Sequence, residues 1–171
     1  TEPMARLGAE ITGIDPSEKN IATASVHSQE QDLAIDYRAM TAEALGETGA
    51  TFDVILNMEV IEHVADPKAF VETCARLLKP GGLIFVATLN RTLKSFGLAI
   101  IGAEYVLGWL PKGTHQWEKF ITPDELEAWL TESGLKQLDR TGVTYNPFSS
   151  EWRRARDMDV NYMLVAQKPG N

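Results

Sequence analysis

Three residues in one short stretch have the chemistry to hold a cation or to move a proton. Glu59, Glu62 and His63 stand at i, i+3 and i+4, so one helical turn places two carboxylates and an imidazole on a common face. Carboxylate oxygens and imidazole nitrogens together ligate divalent ions, and the same groups exchange protons near neutral pH. Val60, Ile61 and Val64 are interleaved with them, which makes the turn amphipathic and fixes the direction of the acids. The plain alternative is a solvated helix start, where Glu and His are common. A distant imidazole, His115, follows a strongly apolar stretch.

The elements that must position these groups read as an α/β sheet. Phe52 to Met58 is an apolar run with β-branched content, the pattern of a strand buried on both faces. It delivers the acids to its C-terminal edge, where open α/β sheets bind ligands. Asp66-Pro67 then opens a helix whose Phe70, Val71, Cys74, Leu77 and Leu78 recur with a period near that of the α-helix. Lys79-Pro80-Gly81-Gly82 stops it, and Leu83 to Asn90 predicts a second buried strand. Upstream, Thr1 to Leu7 reads as a helix with Gly8 as its cap, and Ala9 to Asp15 alternates and ends on an acid just before Pro16-Ser17. A carboxylate there suits ribose hydroxyls, and it suits helix capping equally well.

Leu33 to Met40 predicts another strand, leading into a helix from Thr41-Ala42-Glu43. Thr122-Pro123-Asp124-Glu125 is a capping box with proline at the first helical position. Leu135 to Tyr145 predicts a strand and Asn161 to Gln167 the last one. Between them, Ser149 to Asp159 reads as a loop, its Arg153, Arg154 and Arg156 set among acids as a solvated mixed-charge face.

With 171 residues, 44% hydrophobic and 23% charged, the chain fits one soluble domain spanning 1–171. A formal net charge of −8 excludes a general nucleic-acid binder, which needs a basic surface. The lone cysteine, Cys74, lies on the apolar helix stripe and reads as a buried structural thiol, and His27 reads as a surface residue. Residues 91–114 form an insertion that a regular α/β unit does not need. Phe96, Leu98, Ile100, Ile101, Tyr105, Val106, Leu107, Trp109 and Leu110 crowd into it, bracketed by Arg91, Lys94 and Lys112. Its apolar run is shorter than the roughly 20 residues that span a bilayer, so the composition points to an element lying on a membrane surface or covering a greasy substrate. An ordinary core helix with a connecting loop is the alternative.

Strands and helices that alternate and then close with antiparallel strands resemble the class I S-adenosylmethionine-dependent methyltransferases, a Rossmann-like α/β fold with a C-terminal antiparallel hairpin. The resemblance runs the whole length and is closest to the ubiquinone-biosynthesis O-methyltransferase family. It is carried by Gly13-Ile14-Asp15, Asn57-Met58-Glu59-Val60-Ile61-Glu62-His63-Val64, Lys79-Pro80-Gly81-Gly82, Thr88-Leu89-Asn90-Arg91, Pro111-Lys112-Gly113-Thr114-His115 and Asn161-Tyr162-Met163-Leu164. It implies that the family's first strand and glycine-rich cofactor loop precede Thr1. Residues 1–171 would then be an N-terminally truncated domain that binds cofactor weakly and is inactive alone, with an unpaired sheet edge on either side of the missing strand.

The resemblance further implies S-adenosylmethionine as cofactor, with Asp15 on the ribose, Met58 on the adenine or methionyl part, and Ala42 and Glu43 near the adenine. The acceptor would be a polyprenyl catechol, a lipophilic phenol reached from the membrane surface through 91–114. That would place the protein on the cytoplasmic face of a bacterial inner membrane, or the matrix face in a mitochondrion, beside other enzymes of ubiquinone biosynthesis.

An unperturbed phenol with a pKa of about 10 provides little phenolate at neutral pH. The Glu59-x-x-Glu62-His63 set with His115 resembles the metal site of small-RNA 2′-O-methyltransferases, which implies a divalent cation, Mg2+ first, as Lewis acid and template. Without a metal, His63 or His115 would act as general base with the glutamates orienting it. RNA methylation fits poorly with the net charge of −8. A non-catalytic binding module of this fold and an NAD-dependent dehydrogenase using Asp15 are the remaining alternatives.

Overall fold

The computed structural model describes residues 1–96, 117–146 and 151–170, in two compact units, Thr1–Ala50 and Thr51–Asn171. Most of the expected insertion, and His115 just after it, lie outside the described residues.

In the first unit, α1 (Glu2–Arg6) ends at Gly8, whose φ of 89° is the left-handed backbone that glycine adopts without steric penalty. β1 (Ile11–Asp15) and β2 (Ile35–Ala39) pair in parallel, with Asp15 opposite Ala39. Between them runs α2 (Glu18–Glu30), capped by the Ser17 hydroxyl, which accepts from Asn20 N at 3.3 Å. The Thr41 hydroxyl opens α3 (Ala42–Glu47) in the same way, accepting from Ala44 N at 3.2 Å.

The second unit is built on a five-stranded mixed sheet in the order β3-β4-β7-β5-β6. β3 (Phe52–Met58) lies parallel to β4 (Leu78–Leu89), while β7 (Asn161–Gln167), β5 (Lys136–Asn146) and β6 (Glu151–Ala155) are antiparallel to their neighbours. α4 (Pro67–Leu77) starts where Asp66 accepts from Ala69 N at 3.0 Å and buries Phe70, Val71, Cys74, Ala75 and Leu77. α5 (Pro123–Glu132) has the full capping box, with the Thr122 and Glu125 side chains each bonded to the other's backbone N–H. Its Leu126 and Leu130 are fully buried, each worth about 1.5–3 kcal/mol of transfer from water.

The α/β class with antiparallel C-terminal strands is as expected, and three details differ. β3 is not buried on both faces: it forms one end of the sheet, and Val54, Leu56 and Met58 on its outer row are 39–48% exposed. An apolar run does not reveal whether its strand lies at the middle or the end of a sheet. The second parallel strand begins at Leu78 rather than Leu83, because the chain leaves α4 directly into the ladder, with a register shift opposite Phe52/Val54. Finally, the segment read as a loop contains β6. Its Arg153 and Arg154 pair with Glu151 and Asp139, as charges do on an outer strand that must stay soluble. Among the described residues β1 pairs only with β2 and β3 only with β4, so each sheet has an unpaired edge at that strand.

Candidate active site

The acidic corner forms where β3 runs out. Glu59 N–H still donates to Ala87 O of β4 at 2.9 Å, but its φ of 54° is left-handed, so the chain turns abruptly after Met58. A single 3-10 turn, Ile61–His63, follows and is closed by His63 N donating to Val60 O at 2.9 Å. Ile61 is fully buried and Val60 is exposed. The three chemical residues therefore do not share one α-helical face: Glu59 precedes the turn, and the turn is tighter than an α-helix. The left-handed residue gives no sequence signal, since it is not a glycine.

The corner nonetheless brings Glu59, Glu62 and His63 together. The Glu62 side chain is 1% exposed. Its Oε2 accepts from Thr88 Oγ1 of β4 at 2.7 Å, while Oε1 has no hydrogen-bond partner and lies 3.8 Å from His63 Nε2. A sealed carboxylate oxygen without a donor is unfavourable, and it marks a place for a positive charge or a proton. Burial, then the negative charge of Glu62, then a hydrogen bond shared with Glu62 push the Glu59 carboxyl up to about 7. His63 is half exposed. One row of β3, β4 and β7 continues inward from this corner, with Asn57 opposite Val86, Val86 opposite Leu164, and Thr88 opposite Tyr162. Both amide atoms of Asn57 are buried without a hydrogen-bond partner.

Glu59 gives the first test. Its folded pKa of about 7 lies above its ordinary 4.5, so the folded state favours the protonated carboxyl. That preference stabilises fully below about 4.5 and is lost as pH rises through about 7. Urea denaturation of metal-free protein between those limits is expected to show Glu59→Gln losing less stability with rising pH than wild type. Parallel curves for the two proteins would remove Glu59 as the titrating group.

The other expected ligands are distributed as follows. Met58 ends β3 and is partly exposed. Asp15, Ala42 and Glu43 are in the first unit, where the parallel register brings the ends of β1 and β2 side by side. Ser17, not Asp15, is the N-cap of α2; the Asp15 carboxylate braces the turn before it, accepting from Ser17 N at 2.7 Å and Asn20 Nδ2 at 3.2 Å, and it retains lone pairs for further donors. Ala42 is buried and Glu43 exposed. Among the described residues no group of three His, Cys, Asp or Glu side chains is arranged to hold a metal ion. Asn57 and Thr88 carry the resemblance as motif residues, but the sequence assigned neither a place beside the acids. A polar residue inside an apolar strand was the available signal.

A family model described as a methyltransferase domain matches residues 1–139, and the chain belongs to that family. Solved structures agree in fold. A magnesium protoporphyrin IX methyltransferase from Synechocystis superposes with a TM-score of 0.68 at 19% identity, over 97% of this chain and 67% of that one. A SAM-dependent methyltransferase from Methanosarcina mazei gives 0.71 at 17% identity, over 99% and 87%.

The curated relatives are much nearer in sequence. Ubiquinone biosynthesis O-methyltransferases from Parvibaculum lavamentivorans and Chelativorans are 62% and 64% identical to the chain, each over 98% of it and 66% of the relative. That from Rhizobium etli is 59% identical over 99% of the chain and 68% of its own length. Within the methyltransferases, the chain belongs with the ubiquinone-biosynthesis O-methyltransferase family. It spans about two thirds of the length of these relatives.

Proposed function

We propose that the chain is part of an S-adenosylmethionine-dependent O-methyltransferase that methylates a phenolic hydroxyl of a polyprenyl catechol in ubiquinone biosynthesis. The observation that carries the reading within this molecule is the sealed Glu62 carboxylate, which has one oxygen satisfied by Thr88 and the other unsatisfied beside Glu59 and His63. The names and the similarity of the relatives support the substrate class.

Bound S-adenosylmethionine supplies an electrophilic methyl on sulfonium, and a bound divalent cation supplies Lewis acidity towards neighbouring phenol oxygens. By donor type, though not in their present arrangement, two carboxylates and an adjacent imidazole, Glu59, Glu62 and His63, with His115 as a fourth candidate, would suit a hard cation such as Mg2+. Asp15 would take the ribose hydroxyls and Met58 the adenine or methionyl portion, with Ala42 and Glu43 near the adenine. A second reading rests on Glu59 alone: a carboxyl pushed up to about 7 is matched to accept the acceptor's proton at neutral pH, as a general base working without metal.

The acceptor's lipid tail gives the apolar segment a purpose. Leu93 is 83% exposed at its start, Phe96 is partly exposed, and Lys94 stands between them. We place the protein on the inner face of the bacterial inner membrane, or on the matrix face of its mitochondrial counterpart, where other ubiquinone-biosynthesis enzymes are candidate partners. No helix among the described residues is long and apolar enough to cross a membrane.

The test is methyl transfer by the full-length protein to a polyprenyl catechol in anionic vesicles, before and after chelation. Turnover lost with chelator and restored by Mg2+ or Mn2+ is the expected result. Turnover indifferent to chelator would select the metal-free reading, and failure to methylate any catechol would overturn the function.

A further inference from the structure

Thr88 is fully buried in a row that is otherwise apolar on its own strand, Ile84 and Val86, and across the ladder Ile84, Val86 and Thr88 stand opposite Ala166, Leu164 and Tyr162 of β7. A hydroxyl in such a row is unfavourable unless bonded, and its bond goes to Glu62 Oε2 at 2.7 Å. We propose that Thr88 is a positioning residue for the reaction: by occupying Oε2 from a rigid central strand, it fixes the Glu62 carboxylate and leaves Oε1 as the one oxygen available to the site. The proposal rests on the reading that Glu62 works in that site.

The neighbours do not duplicate this bond. Tyr162 Oη donates to Ile121 O at 2.9 Å, and Arg91 is paired with Glu125. His63 Nε2, at 3.8 Å from Oε1, lies on the other oxygen's side, and Glu59, which shares a hydrogen bond with Glu62 only while its carboxyl is protonated, cannot hold Glu62 in place as a permanent donor does. A hydroxyl bonded to a carboxyl oxygen inside the protein is costly to lose, and a strand holds its donor more rigidly than a loop does. Valine has nearly the shape of threonine and no hydroxyl, so Thr88→Val removes this bond with little change in packing, and Thr88→Ser keeps the donor.

Both variants are tested in the full-length protein by calorimetric Mn2+ binding and by steady-state kinetics. Thr88→Val is expected to weaken Mn2+ binding and to lower kcat, each by about 10–100-fold, the range found when a group supporting a metal ligand is removed. The KM for S-adenosylmethionine is expected to stay at the wild-type value, and Thr88→Ser to recover both losses. Wild-type Mn2+ affinity and kcat in Thr88→Val would overturn the proposal. So would equal impairment in Thr88→Ser, which would assign the residue to packing. If wild-type protein binds no Mn2+, the metal reading of the site fails by itself, and the kcat comparison between the valine and serine variants still decides the role of Thr88.

Discussion

Glu62→Ala is expected to lower methyl transfer by the full-length protein more than about a hundredfold, beyond the 10–100-fold typical of groups that act only through a ligand. The fold is expected to persist. A buried carboxylate with one oxygen unsatisfied contributes little to stability, because its desolvation opposes whatever its partners return. What the change removes is the acceptor for Thr88 Oγ1, worth about 1–3 kcal/mol when a buried group is left unpaired. Turnover measured beside a circular-dichroism melt separates the outcomes. Wild-type turnover would take Glu62 out of the chemistry, and loss of the folded signal would make it a structural residue.

Gly142→Ala is expected to cause the largest stability loss among the changes considered, about 3 kcal/mol, at the top of the range for overpacking. A Cβ on Gly142 in β5 would sit 1.7 Å from the Asp157 carbonyl oxygen and 3.2 Å from that of Ala155. Both are backbone atoms, so no side chain can swing away to make room. The displaced stretch is tied to the exit of β4: Asp157 pairs with Lys94, Thr92 Oγ1 donates to Asp159 O, and Asn90 Nδ2 donates to Met158 O at 2.8 Å. The disturbance is therefore expected to reach the start of the apolar segment. Urea denaturation checks it, and a midpoint within error of wild type would show that the connection after β6 moves freely.

The parts of the fold that could be read from the chain are those with a local cause. Asp66 before Pro67, the Thr122 and Glu125 pair, and Gly8 each satisfy or release backbone groups within a few residues, and each appears where its chemistry predicts. What depends on distant partners was not legible. Whether the side chains of Val54 and Leu56 are covered depends on what packs on that face of β3, which among the described residues ends its sheet, and β6 exists because an eleven-residue β5 offers it a partner. The same division holds at the site. The spacing of Glu59, Glu62 and His63 marked residues that the chain does bring together, but it assumed a regular helical turn. Which acid is sealed, and by whom it is held, is decided by Thr88, twenty-six residues further on across a strand pairing.

The backbone of Glu59 shows what this corner demands of the molecule. A side chain with a Cβ in the left-handed region is under steric tension that glycine would relieve, so the most comfortable residue at position 59 is one with no chemistry at all. Selection for heat tolerance alone would favour that exchange, and under the function proposed above the need for a carboxyl group would oppose it. Robustness and reactivity pull in opposite directions at a single bond rotation.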